Sequence, residues 1–222
     1  ASPVLCPLAA TPHDIAGSPL GNGALKALDG QRIHATLSLP DCGWMETGEV
    51  LFRPYGISGI VAFNASRRTH AGDILEMDLL PELSSVALHS ELERRTSMRG
   101  ALSPHDLGWF DGLLTRPVAS FVTAVAQNPA GLRQLERAIK HAPFAVVGTA
   151  DEQSAQVHRG GIPFDAVDLA ALGINLPQTP QLFACGEALD MDADCGGFNL
   201  AWAWLSGIRA GKAAARAAQE TR

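Results

Sequence analysis

The chain has 222 residues, of which 46% are hydrophobic, and this is enough for one large or two small domains with a sizeable core. Its formal net charge of −6 at pH 7 provides no basic surface for nucleic acid, so we expect no nucleic-acid partner. The four cysteines lack C-x-x-C spacing and no apolar run is long enough to span a membrane, which predicts a bacterial-type cytoplasmic protein with reduced thiols.

The first 80 residues predict a small β-structure. Residues 4–8 are interpreted as an edge strand, and alternating apolar and polar residues predict a half-buried strand over 32–39. Turn residues separate three further short strands, at 48–52, 57–64 and 73–79. Several short strands at this spacing favour a small antiparallel sheet or barrel.

The following segment, 81–150, has a helical pattern. Residues 82–99 lack Gly and Pro and predict a helix, and Ser103-Pro104 can begin a second one. An amphipathic helix is predicted over 132–141, followed by a short buried strand at 144–147. We therefore interpret 1–150 as one domain, with a β part at 1–80 and a helical part at 81–150.

The stretch 181–211, QLFACGEALDMDADCGGFNLAWAWLSGIRAG, is the most informative part of the sequence. A short apolar run, a Gly-Glu break, an acidic loop and a Gly-Gly pair precede a segment without Pro. This order predicts a strand, a turn, a loop and a helix that begins near Asn199. The start of a helix presents free N–H groups and the positive end of its dipole, which favours an anionic ligand.

Three stretches carry a resemblance to a known family. LFACGE…D…GGFNLAWAWLSGIRAGKAA resembles the carboxyl-terminal FAD-binding segment of the aminoacetone oxidase and BaiN-like family of NAD(P)/FAD-dependent oxidoreductases. GEVLFRPYGISGIVAFNASR resembles the middle domain of that family, and AQVHRGGIPFDAVD resembles the segment that re-enters its FAD domain. The resemblance implies an α+β or α/β protein, with a middle domain at 1–150 and the carboxyl-terminal part of a glutathione-reductase-type FAD-binding domain at 151–222.

The resemblance also implies a site for FAD. It places cofactor contacts at Gly160, Gly161, Gly186, Glu187, Asp190, Gly196, Gly197, Phe198 and Asn199. A carboxylate beyond a strand can accept hydrogen bonds from sugar or ribitol hydroxyls, and the glycine-rich turn before the last helix would face the flavin ring. A solvated acidic turn at Glu187 and ordinary glycine turns elsewhere stay open as alternatives. No catalytic side chain is identified.

The chain departs from the family pattern in the glycine motif that holds the FAD pyrophosphate. The nearest candidate for G-x-G-x-x-G is Gly21-Asn22-Gly23, which has Lys26 where the third glycine belongs. We therefore interpret the chain as the middle and carboxyl-terminal portions of a flavoprotein. Its expected partners are a small-molecule substrate and either the missing amino-terminal FAD half or a homo-oligomeric partner, and the chain alone is expected to bind FAD weakly or not at all.

Two functions from different classes follow from these patterns. The first is a portion of an FAD-dependent oxidoreductase that passes hydride or electrons between a small organic substrate or NAD(P)H and flavin. The second is a non-catalytic binding or assembly module that lost the nucleotide-binding half.

No metal is expected, because the calcium-like spacing of Asp190, Asp192 and Asp194 is followed by Cys195 where a calcium loop needs Gly. The substrate and the choice between NADH and NADPH stay open.

Overall fold

The computed structural model describes residues 2–21, 23–103, 106–127, 131–175 and 182–220. The chain divides into a barrel unit, Pro7–Asp151, and a carboxyl-terminal unit made of Ala1–Cys6 and Glu152–Arg222. The elements in the described ranges are, in chain order, β1 (Ser2–Leu5), β2 (Leu8–Pro12), α1 (Gly23–Leu28), β3 (Arg32–Leu39), β4 (Trp44–Arg53), β5 (Gly56–Ser58), α2 (Ile60–Ser66), β6 (Ile74–Asp78), α3 (Ser85–Arg99), α4 (Arg116–Ala126), α5 (Leu132–Lys140), β7 (Ala142–Thr149), β8 (Val157–Arg159), β9 (Val167–Asp168), β10 (Gly173–Ile174) and α6 (Phe198–Glu220).

The barrel unit is built on a closed barrel with the strand order β2-β5-β4-β3-β6-β7. Its longest hairpin joins β3 to β4, in register from the Arg32–Leu51 pair to the Leu39–Trp44 pair. Because side chains alternate across a strand, β3 buries Ala35, Leu37 and Leu39 inside the barrel. Closure removes the free edges that an open sheet of this size would expose. The predicted small antiparallel sheet or barrel is confirmed.

Helices cover the barrel and share its hydrophobic core. On α4, the buried ring of Phe121 stacks against Phe144 of β7 with ring centroids 5.7 Å apart, and Phe52 of β4 lies 6.4 Å from Phe144. Burial of aromatic side chains contributes about 1.5–3 kcal/mol each relative to exposure. The helices and the barrel are therefore one folding core rather than a sheet domain followed by a helical domain.

The predicted strand over 57–64 is wrong beyond its first two residues. The chain forms β5 and then turns at Gly59, where φ is +104° and an added Cβ would lie 2.6 Å from the carbonyl oxygen of Glu49. Helix α2 follows and buries Val61, Ala62 and Ala65. A short apolar run has no periodicity that distinguishes a strand from a buried helix. In the structure, Val61, Ala62 and Ala65 are buried at the spacing of a helix.

Two further boundaries differ from the sequence prediction. The β part does not end at residue 80, because β7 at Ala142–Thr149 pairs with both β2 and β6 to close the barrel. The predicted edge strand at 4–8 is broken before Pro7 into β1 and β2, which belong to different units.

Three helices are predicted in the segment 81–150. The second is predicted to begin at Ser103-Pro104, and Pro104 lies outside the described residues. The helices predicted over 82–99 and 132–141 correspond to α3 and α5.

The carboxyl-terminal unit has little sheet in its described residues. Strand β1 pairs with β8, which is why the first six residues belong to this unit and not to the domain predicted for 1–150. The short apolar run that begins the stretch 181–211, residues 182–185, is predicted as a strand, and this prediction is wrong. Among the described residues, Phe183 makes an isolated bridge to Gly173, whereas a strand needs a ladder of such pairs. The parallel sheet of a glutathione-reductase-type FAD domain is therefore not formed by the described residues. Helix α6 begins at Phe198, one residue before the predicted start.

Candidate functional site

The glycine pair that follows β8 and the turn after Cys185 form one connected piece of the carboxyl-terminal unit. The N–H of Ile162 donates to the carbonyl of Ala188 (2.8 Å), and the N–H of Asp190 donates to the carbonyl of Ile162 (2.9 Å). One carboxylate oxygen of Asp190 accepts from the N–H of Gly160 at 3.1 Å. The structure thus brings Gly160, Gly161 and Asp190 together, although the glycines and the aspartate are far apart in the sequence.

Gly161 cannot carry a side chain in this arrangement. Its φ is +147°, and an added Cβ would lie 2.9 Å from the carbonyl oxygen of Ala188 and 2.9 Å from the carbonyl carbon of Leu189. Both atoms belong to the backbone and cannot swing away as a flexible side chain would. Close packing of two backbone segments therefore explains this glycine, whether or not a cofactor also lies beside it.

The turn at Gly186 is fixed to helix α6 from both sides. Its N–H donates to the hydroxyl oxygen of Ser206 (2.8 Å), and the indole N–H of Trp202 donates to its carbonyl (3.0 Å). Ser206 is only 2% exposed, and its hydroxyl donates onward to the carbonyl of Trp202 at 2.5 Å. Sequence reasoning missed Ser206 and Trp202. The available signal was a lone polar residue four positions after an aromatic residue on the buried stripe of the helix.

Glu187 follows this turn and is exposed. Among the described residues, its carboxylate makes no hydrogen bond or ion pair. The carboxylate is consequently free to accept hydrogen bonds from a ligand hydroxyl or from water. Its role as a cofactor contact stays a prediction.

The loop before α6 is held by the side chain of Asn199. Its Oδ1 accepts from the N–H of Ala193 (2.9 Å) and its Nδ2 donates to the carbonyl of the same residue (3.0 Å). Because the amide bonds to both the N–H and the carbonyl of Ala193, Asn199 positions the loop before α6. Its role as a cofactor contact stays a prediction.

The entry to α6 is open. Gly196 and Gly197 have φ values of +133° and +92°, and no heavy atom lies within 4 Å of where a Cβ on Gly197 would stand. The ring of Phe198 is 63% exposed. The first N–H groups of a helix have no acceptor inside the helix. An anionic or hydrogen-bond-accepting group can therefore approach this helix start along the glycine pair.

A cleft of about 500 Å³ lies on the outer face of the barrel unit, between β3, β4 and the loop before α3. On one wall, Nδ1 of His34 lies 2.6 Å from Oε1 of Glu82, and this hydrogen bond holds the pKa of Glu82 below its ordinary value. On the floor, the hydroxyl oxygens of Thr36 and Thr47 are 2.6 Å apart. The cleft offers an oriented imidazole and hydroxyl groups to a small polar molecule.

The ammonium group of Lys140 also borders this cleft but is fully used. Its Nζ lies 2.5 Å from Oδ2 of Asp78 and donates to the carbonyls of Leu80 (3.0 Å) and Leu83 (2.7 Å). An ammonium group has three donors, so none is left for a ligand. Lys140 therefore fixes the loop before α3 to the barrel and shapes the cleft without binding in it.

Within the described residues, no cluster of three or more His, Cys, Asp or Glu side chains has the geometry to hold a metal ion. In the same part of the chain, none of the helices combines the length and the apolar character needed to cross a membrane.

Comparison with known proteins gives relatives but no matching family model. The chain is similar to a 3-dehydro-bile acid delta(4,6)-reductase of Clostridium scindens, with 30% identity over 185 residues that cover 77% of this chain and 44% of the relative. It is also similar to ribosomal RNA dihydrouridine synthases of Haemophilus influenzae, with 27% identity over 82% of this chain and 46% of the relative, and of Escherichia coli, with 24% identity over 81% of this chain and 46% of the relative. The chain thus spans less than half the length of these curated relatives.

Proposed function

We propose that the chain is a portion of an FAD-dependent oxidoreductase that reduces a carbon–carbon double bond in a small ring substrate. The observation that carries the proposal is its similarity to the bile-acid reductase and the dihydrouridine synthases. Delta(4,6) names ring double bonds near an oxidised carbon 3, and dihydrouridine is uridine with two hydrogens added. Both names describe addition of two hydrogens to an unsaturated ring, which the addition of a hydride and a proton accomplishes.

Two features of the carboxyl-terminal unit support the FAD part of the proposal. The free carboxylate of Glu187 suits a ribose or ribitol hydroxyl, and the open entry at Gly196 and Gly197 suits close approach of an electron-rich ring edge to helix N–H groups. When bound, the flavin supplies hydride or electron transfer. The described residues contain no complete glycine motif for the pyrophosphate, so the proposal assigns that contact to polypeptide outside this sequence. Use of NADH or NADPH as the reductant belongs to the same proposal.

The rest of the site holds these groups in place. Asn199 fixes the acidic loop through Ala193, Ser206 fixes the turn before Glu187, and Asp190 fixes the adjacent glycine pair. We assign these residues a positioning role, because the side chain of each forms a hydrogen bond with the protein backbone. The proposal assigns substrate binding to the barrel unit, where Nε2 of His34 can meet a substrate oxygen while Nδ1 stays on Glu82.

Flavin binding by the purified chain tests the proposal. Titration of FAD, followed by quenching of flavin fluorescence, is expected to show weak saturable binding. Glu187→Gln should raise the dissociation constant by about tenfold or more, since a hydrogen bond to a charged group is worth about 1.5–3 kcal/mol. Glu152→Gln is the matched control, because it removes the same charge from an exposed position of the same unit.

Two results would count against the proposal. Equal effects of the two substitutions would mean that Glu187 does not contact the cofactor. Tight, near-stoichiometric flavin binding by this chain alone would contradict the assignment of the pyrophosphate contact to other polypeptide.

A further inference from the structure

A basic groove runs along the second half of α6, away from the residues considered for the flavin. It has a volume of about 500 Å³ and is lined by Arg209, Lys212, Arg216 and Glu220 on the helix, with Ala170, Ala171 and Phe183 opposite. Residues three and four positions apart lie on the same face of a helix, so the three cations form one row. All lining residues belong to the carboxyl-terminal unit.

The charge in this groove is concentrated and largely unpaired. The helix side of the groove carries three cations and one carboxylate, that of Glu220, in a chain whose net charge is −6. Among the described residues, neither Lys212 nor Arg216 makes an ion pair. Like charges four positions apart on a helix repel each other, and an anion bound between Lys212 and Arg216 would relieve that repulsion. The net charge of the whole chain averages over this local excess.

Arg209 is aimed by the opposite wall. Its Nε donates to the carbonyl of Ala170 at 3.0 Å, which leaves the two terminal amino groups of the guanidinium for a ligand. The turn that presents this carbonyl is itself fixed, because the carboxylate of Asp168 accepts from the N–H of Ala170 at 2.9 Å and the carbonyl of Asp168 accepts from the N–H of Leu172 at 2.6 Å. A guanidinium held in one orientation loses less entropy when it binds an oxyanion.

The wall opposite the cations is apolar and contains one aromatic ring. Phe183 is half-buried and lines the groove beside Ala170 and Ala171. A ring next to several cations matches a ligand with a planar heterocycle and an anionic group, since bases stack on aromatic side chains and phosphates pair with Arg and Lys. The volume falls in the range of small-molecule sites.

We infer that this groove binds a phosphorylated nucleotide, with its phosphate on Arg209, Lys212 and Arg216 and its base against Phe183. The nucleotide is either free or a unit of a single-stranded nucleic acid, and the chemistry of recognition is the same in both cases. The inference stands on the groove alone and does not depend on the proposed flavin chemistry.

Isothermal titration calorimetry on the full chain tests this inference, with AMP, inorganic phosphate and a short single-stranded RNA as separate ligands. We expect one nucleotide per chain, with an affinity that falls as salt is added. The Lys212→Gln/Arg216→Gln double variant should weaken binding by more than tenfold. The double variant Arg133→Gln/Arg137→Gln is the matched control, because it removes the same charge at the same spacing from exposed positions of α5.

A third variant separates the two halves of the ligand. Phe183→Leu should weaken the binding of AMP several-fold while leaving that of inorganic phosphate unchanged. Saturation by AMP identifies the free nucleotide as the ligand, whereas saturation by RNA alone identifies the nucleotide unit of a strand. The inference is overturned if neither ligand saturates a chain that circular dichroism shows to be folded, or if both double variants weaken binding equally.

Discussion

Replacing Gly161 by alanine tests how the candidate site is assembled. The added Cβ would stand 2.9 Å from the carbonyl oxygen of Ala188, and the φ of +147° is one that residues with a side chain rarely adopt. Relief of the contact requires the two backbone segments to separate. The hydrogen bonds at stake are those from Ile162 to Ala188 and from Asp190 to Ile162.

The expected cost has two parts. An unfavourable backbone conformation costs about 1–3 kcal/mol, and loss of two hydrogen bonds costs about 0.5–1.5 kcal/mol each. Gly161→Ala should therefore destabilise the carboxyl-terminal unit by about 2–6 kcal/mol. Gly197→Ala is the matched control, because that glycine also has positive φ, +92°, but has open space where a Cβ would stand. The control should show only the conformational cost.

Amide hydrogen exchange measures this difference locally. In Gly161→Ala, the amides of Ile162 and Asp190 should exchange faster than in Gly197→Ala, while the amides of β3 and β4 keep their protection in both variants. If the two variants have the same stability and both amides stay protected in Gly161→Ala, the close contact does not hold the site together. In that case, close packing of the backbone would not be the reason for a glycine at position 161.

Two other predictions concern buried and titrating groups. Ser206→Ala should destabilise the carboxyl-terminal unit by about 1–3 kcal/mol in urea unfolding, because the buried N–H of Gly186 loses its acceptor; an unchanged unfolding midpoint would contradict this role. In the barrel unit, hydrogen bonds from Arg94 and Arg95 lower the pKa of Glu91 from 4.5 to about 2. A lowered pKa stabilises the folded state above the unfolded value, so this contribution should be complete above pH 4.5 and be lost as pH falls towards 2. The stability difference between the wild type and Glu91→Gln should shrink over that range, and a constant difference would refute the coupling.

Local periodicity predicted the barrel well where one face of a strand is buried. The alternation of apolar and polar residues in β3 identified that strand at its observed bounds. The same reasoning failed at 57–64, because a backbone turn at Gly59 interrupts an apolar run that has no clear period. It failed again at 182–185, where the residues are apolar but lack a ladder partner among the described residues.

The candidate site shows a different limit. Resemblance to a family named the glycines and Asp190, but spacing in the sequence gives no reason for Gly160 to meet Asp190. Asn199 is predicted as a cofactor contact, and the structure adds a positioning role, because its amide bonds to the backbone of Ala193. Ser206 was missed because its signal, a lone polar residue four positions after Trp202, is weak beside the apolar pattern of the helix. Net charge likewise hid the basic groove, since a sum over the chain cannot show where cations gather.

The barrel unit is an insertion, because the chain leaves the carboxyl-terminal unit after Cys6 and returns to it at Glu152. The two ends of the insertion touch, with the N–H of Ala150 donating to the carbonyl of Pro7 at 2.9 Å. A segment whose ends already meet can be cut out or moved into another loop with little loop-closure entropy. Residues 7–151 thus have the layout of an insertable domain, because its two ends lie close enough to be joined to neighbouring positions of another chain.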